Sequence, residues 1–178
     1  MRTLIFLVLF AVMLNGQNQI TVSGGYGCSV RGVGCGESDT AGATGATYSR
    51  RVLPFLWAEA GVLAALQPTG AYVNRLGTFP IDSHAIWVPF GVRGTLPLSH
   101  RFEASLGVGG VYEKFSVAQY YGVGPYPHEG WGGYLSPSIA FALDHKRHFW
   151  LGASPRFFFI DGSSDRWLMF TGDLGFRF

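Results

Sequence analysis

The chain has 178 residues, of which only 13% are charged and 16% are aromatic, with 26 glycines and a formal net charge of +2. Soluble domains carry about 25% charged residues, so an ordinary water-soluble globule fits poorly. No basic stripe is present, which removes the electrostatic footprint that nucleic-acid binding requires.

Arg2, an apolar run from Leu4 to Leu14 and then Asn15-Gly16-Gln17 follow the order of a secretory signal peptide. The run is shorter than the roughly 20 residues a membrane-spanning helix needs. Residues 1–18 are therefore assigned to a signal peptide cut near Gly16, and 19–178 to one mature domain. That domain is long enough for about eight strands, at about 20 residues per strand and connection.

A first strand is predicted over 19–27, with Ile20, Val22, Gly24 and Tyr26 on one face and Thr21, Ser23 and Gly25 on the other. A Gly-rich connection, 28–43, leads to a polar second strand over 44–52. After the turn 53–55, the third strand (56–66) sends Ala58, Ala60 and Val62 outward and Glu59 and Gly61 inward. Taken alone, 57–66 also fits an Ala-rich helix; its neighbours favour a strand. A loop at 67–83 precedes the fourth strand (85–95), where Ile86, Val88, Phe90 and Val92 oppose Trp87, Gly91 and Arg93.

The fifth strand (101–115) alternates most cleanly: Phe102, Leu106, Val108 and Tyr112 against Glu103, Ser105 and Glu113. A Tyr- and Gly-rich loop at 116–130 leads to the sixth strand (131–143), and 144–147 is a charged turn. Pro137 in the sixth strand and Pro155 in the seventh (148–160) each remove a ladder hydrogen bond. The last strand runs from Leu168 to Phe178. Leu168, Phe170, Leu174, Phe176 and Phe178 lie on one face, with Met169, Thr171, Asp173 and Arg177 on the other.

Period-two alternation with no helix to cover the greasy faces makes lipid their expected cover. The fold expected is all-β: a closed antiparallel up-and-down transmembrane β-barrel of about eight strands. Connections alternate long and short, as external loops and periplasmic turns do in outer-membrane barrels. The charged residues Glu59, Arg93, Glu103, Glu113, Arg156, Asp173 and Arg177 all fall on the polar side of their strands. Near-balanced signs favour an interior network of pairs over a conducting path, because an isolated interior charge is costly.

The segment from His148 to Ile160 (His-Phe-Trp-Leu-Gly-Ala-Ser-Pro-Arg-Phe-Phe-Phe-Ile), a polar turn, and Trp167 through Gly-Phe-Arg-Phe178 resemble the outer-membrane protein beta-barrel domain family. Its members are small eight-stranded barrels of the OmpA/OmpX type, and Glu59-Ala-Gly-Val62 is similar to another of its elements. The resemblance implies the fold, the cell outer membrane as location, and no shared reaction. It also implies that Leu174, Phe176 and Phe178 act as the signal read by the barrel-assembly machinery.

Cys28 and Cys35 are candidates for a disulfide in the first loop, with free thiols as the alternative. Ser83-His84 and His128-Glu129 are the only hints of a hydrolase. Neighbours on a strand point to opposite faces, so loop or interfacial histidine is the simpler reading. Most of Trp57, Trp87, Trp131, Trp150 and Trp167 lie near strand ends, where aromatic girdles are expected. Tyr120, Tyr121 and Tyr126 suit a recognition surface. No catalytic residue, cofactor or metal site is assigned.

The function expected is that of a non-enzymatic integral outer-membrane protein serving envelope integrity or surface interaction. Its partners would be membrane lipid and surface ligands reached through segments 28–43, 67–83 and 116–130. A rim-active lipid-modifying enzyme and a narrow channel are the rivals. If the faces are assigned correctly, Leu174→Arg blocks insertion into lipid vesicles and Thr171→Arg is better tolerated.

Overall fold

The computed structural model describes residues 17–30, 35–66, 70–74, 77–118, 126–160 and 166–178, with side chains over 17–28, 41–65, 84–114, 129–160 and 166–178. The strands are β1 (Asn18–Val30), β2 (Cys35–Leu53), β3 (Leu56–Leu66), β4 (Gly70–Asn74), β5 (Gly77–Pro97), β6 (Phe102–Ala118), β7 (Tyr126–Ala142), β8 (Phe149–Ile160) and β9 (Arg166–Arg177). Every pairing is antiparallel. β1 joins β9 at one seam and β3 joins β5 at another, so eight strands close into a ring. β4 stands outside the ring and pairs only with the far end of β5. The signal-peptide reading falls almost wholly on residues outside those described, although Asn18, its last residue, already pairs with Arg50 in β2.

Closure satisfies the backbone of a wall that faces hydrocarbon, where an open edge would leave groups unbonded. At the end where β1 begins and β9 finishes, Asn18 N–H donates to Phe178 O at 2.8 Å and Phe178 N–H returns a bond to Asn18 O at 2.9 Å. The short turns 54–55, 98–101 and 143–148 lie at this end, which makes it the periplasmic one.

The face assignment holds along every strand. Ile20, Val22, Val62, Phe90, Leu106, Leu135, Leu151, Phe170 and Leu174 are exposed, whereas Thr21, Ser23, Glu103, Glu113, Arg156, Thr171 and Arg177 are buried. The possible helix at 57–66 is a strand, because β2 and β5 flank it and its Ala-rich face meets lipid.

Two expectations need correction. Segments expected as long loops are largely strand: β1 and β2 extend through most of 28–43, β4 and β5 form a hairpin within 67–83, and β6 and β7 invade 116–130. Crossing the bilayer takes about 9–11 residues, yet β2 has 19 and β5 has 21. Beyond the lipid a ladder needs no greasy face, so its strands lose the alternation by which they are read.

The second correction concerns tryptophan. Only Trp131 faces outward, at 61% exposed; Trp57, Trp87, Trp150 and Trp167 are buried inside the barrel. Proximity to a strand end suggests a girdle, but strand parity decides the face, and these four share the parity of the interior charges.

The two proline defects coincide. The β7–β8 ladder pairs Leu135 with Phe157 and resumes at Ile139–Ala153 in the same register, which sets Pro137 across from Pro155. Both missing donors thus fall on one rung. Two glycines face each other where β5 meets β6: Gly91 opposes Gly109, and a Cβ on either would lie 2.2 Å from a carbonyl oxygen of the other strand.

Leu174, 53% exposed on the lipid face, remains the informative position. Leu174→Arg is expected to destabilise the barrel by about 2–4 kcal/mol in urea unfolding from lipid vesicles, whereas Leu174→Phe stays near wild type. Thr171→Arg is no longer a tolerated control. Thr171 is only 4% exposed and hydrogen-bonds Ser154 and Asp173, so the larger side chain has no room there.

Candidate functional site: a two-zone barrel interior

The outer half of the interior is an aromatic plug. Trp87 stacks on Phe158 with centroids 5.5 Å apart and meets Trp167 edge-on at 5.2 Å. Leu63, Val111, Tyr134, Ile160 and Met169 join this cluster, with Ala41, Ala43, Ala65 and Ala85. Trp87 Nε1 donates to Glu113 Oε2 at 2.6 Å, so an acidic residue within the plug is satisfied by an indole.

The inner half is polar. Arg93 Nε lies 3.5 Å from Glu59 Oε2, and Tyr134 OH donates to Glu59 Oε1 at 2.8 Å. Arg156 Nη2 lies 3.4 Å from Asp173 Oδ1 and donates to Ser23 Oγ at 2.9 Å. Ser154 Oγ donates to the other oxygen of Asp173. A cavity of about 50 Å³ lies among these pairs, lined also by Thr21, Thr47, Ser49 and Ser136. Ser49 Oγ and Arg156 Nη1 line it without a protein hydrogen-bond partner, and the space suits water as their partner.

Near the periplasmic end Arg177, 6% exposed, is clamped on all sides. Nη2 and Nη1 donate to the two oxygens of Glu103 at 2.7 and 3.2 Å, and Nε donates to Gln19 Oε1 at 2.7 Å. Its guanidinium lies 4.0 Å from the Trp150 ring centroid and 5.0 Å from that of Trp57. A planar cation with two aromatic faces and a forked carboxylate is an arrangement arginine provides and lysine does not. Gln19 Oε1 also accepts from Arg93 Nη2 at 3.3 Å, tying this clamp to the chamber above.

The seven interior charges therefore sort into three pairs, Glu59–Arg93, Asp173–Arg156 and Glu103–Arg177, with Glu113 in the plug. Sequence reasoning missed Gln19, Tyr134 and the tryptophans that sheathe Arg177. Inward parity marks each of them, but which strands meet across the lumen is not readable from one strand at a time. Cys28 is buried and disulfide-bonded. The side chain of Cys35, the only other cysteine, lies outside the described residues.

Leu174, Phe176 and Phe178 face outward, with Phe176 5.8 Å from Phe178 and 5.0 Å from Phe149. Among the histidines, His148 faces Asp144 at 3.7 Å and His145 faces Arg101 at 3.4 Å. No Ser-His contact occurs among the described residues. The side chains of Ser83 and His128 lie outside them, and so do those of Tyr120, Tyr121 and Tyr126.

No family model and no curated protein matches the chain. Solved structures do. Ail, the attachment invasion locus protein of Yersinia pestis, solved with the heparin analogue sucrose octasulfate, aligns with a TM-score of 0.65 at 10% identity, covering 92% of this chain and 99% of that one. Neisserial surface protein A aligns at 0.62 and 11% identity, over 92% and 97% of the two chains. The outer-membrane protein OprG of Pseudomonas aeruginosa aligns at 0.59 and 12%, over 90% and 96%.

Two measurements test the inner half. Glu103→Leu strips a buried guanidinium of its carboxylate and is expected to cost about 3–5 kcal/mol in unfolding from vesicles, with Glu103→Leu/Arg177→Met regaining most of it. In the turn at 143–148, Phe149 N–H donates to Asp144 Oδ1 at 2.8 Å and holds that carboxyl below the usual aspartate range. A depressed folded pKa means the bond is complete above about pH 4 and is lost as pH falls through the folded value. The amide proton shift of Phe149 should titrate with a midpoint below about 3.9; a midpoint at or above that value rules the bond out. With its greasy exterior, polar lumen and closed ring of eight strands, the chain has the fold of the small OmpA/OmpX-like barrels and resides in the outer membrane.

Proposed function

We propose that this chain is a non-enzymatic outer-membrane protein whose barrel is a filled anchor and whose outer hairpins do the work, strengthening the envelope or meeting surface partners. The observation that carries this reading is closure of the lumen at two levels. The Trp87–Phe158–Trp167 plug fills the outer half and the Trp57–Arg177–Trp150 clamp fills the inner end. An eight-stranded ring is just wide enough for side chains to fill it. The strand ladders overshoot the bilayer as ribbons within the outer segments 28–43, 67–83 and 116–130, over residues 35–43, 70–74, 77–83, 116–118 and 126–130, and a Cys28–Cys35 disulfide would pin the first of them.

Ail was solved with a heparin analogue. The outer segments of this chain carry Arg31, Arg75, Lys114 and Arg166 against Glu37, Asp39, Asp82, Glu129, Asp161 and Asp165. That balance disfavours a polysulfated ligand and leaves the tyrosines of 116–130 as the better recognition surface. Residues 1–18 serve as the export signal in this reading, and Leu174, Phe176 and Phe178 present the barrel to the assembly machinery.

The purified protein is expected to give no conductance steps in planar bilayers and no acyl transfer or lipid hydrolysis; either activity would overturn the reading. In a deletion strain, complementation by the full chain should restore exclusion of large antibiotics. If a chain shortened within 116–130 restores it equally, the barrel supports the envelope. Restored exclusion with lost surface adhesion identifies the hairpin as the recognition element.

A further inference from the structure

The two ends of the barrel differ in charge. Around the periplasmic turns stand Arg50, Arg51, Arg101, Lys146, Arg147 and Arg177, against the carboxylates of Glu103 and Asp144. Four of these cations, Arg51, Lys146, Arg147 and Arg177, line one pocket of about 220 Å³ at the periplasmic mouth, and Glu103 is its only carboxylate. We propose that this pocket binds a phosphate group, free or carried on a periplasmic-leaflet lipid headgroup.

Glu103 cannot neutralise the pocket. Both its oxygens are taken by Arg177, and Arg147 Nη2 lies 3.6 Å from Oε2. Lys146 has no ion pair among the described residues. Arg147 Nε is buried without a hydrogen-bond partner. Arg147 is also the one described non-glycine residue at positive φ, 60°, a conformation that only a minority of such residues adopt. The geometry that holds it there sets its guanidinium 4.9 Å from the Trp150 ring centroid, and Trp150 Nε1 donates to Arg147 O at 2.7 Å. Arg51 is positioned by Nε and Nη1 bonds to Pro54 O at 3.1 Å and Gln17 Oε1 at 3.3 Å.

Oriented guanidinium groups beside an ammonium, with an excess of positive charge, match the geometry and charge of a phosphate. The floor of the pocket is the Arg177 clamp, so the anion is held rather than passed on. The site is independent of the outer hairpins and of the function proposed for them.

Inorganic phosphate titrated into protein folded in zwitterionic micelles should give saturable binding by calorimetry, with shifts of the Lys146 and Arg147 amides. Lys146→Gln/Arg147→Asn, in which asparagine tolerates the positive φ, should weaken it by at least about tenfold. Lys114→Gln, at the opposite end, should leave it unchanged. Heat-modifiable migration reports whether each variant is folded, and Lys146→Gln alone, on an exposed turn residue, keeps the comparison readable if the double variant does not fold. Nanodiscs with and without phosphatidylglycerol separate the sources: loss of phosphate binding in anionic discs indicates that headgroups occupy the pocket, and unchanged binding indicates a free phosphate. Absence of saturable binding, or equal binding by the double variant and wild type, would overturn the proposal.

Discussion

Hydrocarbon offers no partner to a backbone N–H or C=O, and that single deficit organises this molecule. Each strand must bond to a neighbour on both sides, which is possible for all of them only when the sheet closes on itself. Closure then leaves one face of every strand to lipid and the other to a narrow lumen. Because side chains alternate, a strand that is greasy outside is free to be polar inside, and all seven interior charges occupy positions of that parity. The proline pair obeys the same rule. Pro137 and Pro155 each withhold a donor, and their placement opposite one another confines the loss to one rung of the β7–β8 ladder.

Filling the lumen creates a second problem, since charges removed from water need partners with good geometry. The chain meets it differently at different depths. In the outer half, large apolar rings exclude water, and Glu113 is held by the Trp87 indole. In the inner half, Glu59–Arg93 and Asp173–Arg156 pair between neighbouring strands and Glu103–Arg177 spans the lumen, with Tyr134, Ser23, Ser154 and Gln19 taking up remaining valences. Tryptophan serves both zones, as filler near Phe158 and as a π-face on either side of Arg177. That dual use explains why four of the five tryptophans are inside a protein whose exterior is greasy.

The asymmetry between the two ends follows from the same economy of positions. Turns at the periplasmic end are short and close to the lumen, so their cations crowd around one mouth. At the outer end the strands run on past the lipid, and their charges are spread over longer ribbons with carboxylates in excess.

The amino-acid order alone determined the class of fold, the number of staves in the ring and the face of nearly every residue in the membrane. These depend on a period of two within a single strand, and that period is imposed locally by lipid on one side. It also places the strand charges on the polar side, because an ionised group on the lipid face is too costly to keep. It did not reveal how far the strands run into the expected loops: outside the bilayer both faces of a ladder meet water, and the alternating signature vanishes. Nor did it reveal which charge meets which. The pairing of Glu103 with Arg177, the bond from that arginine to Gln19, and its enclosure by Trp57 and Trp150 bring together residues from five strands. Only the register and tilt of the closed ring set their heights within the lumen, and those are properties of all the strands at once.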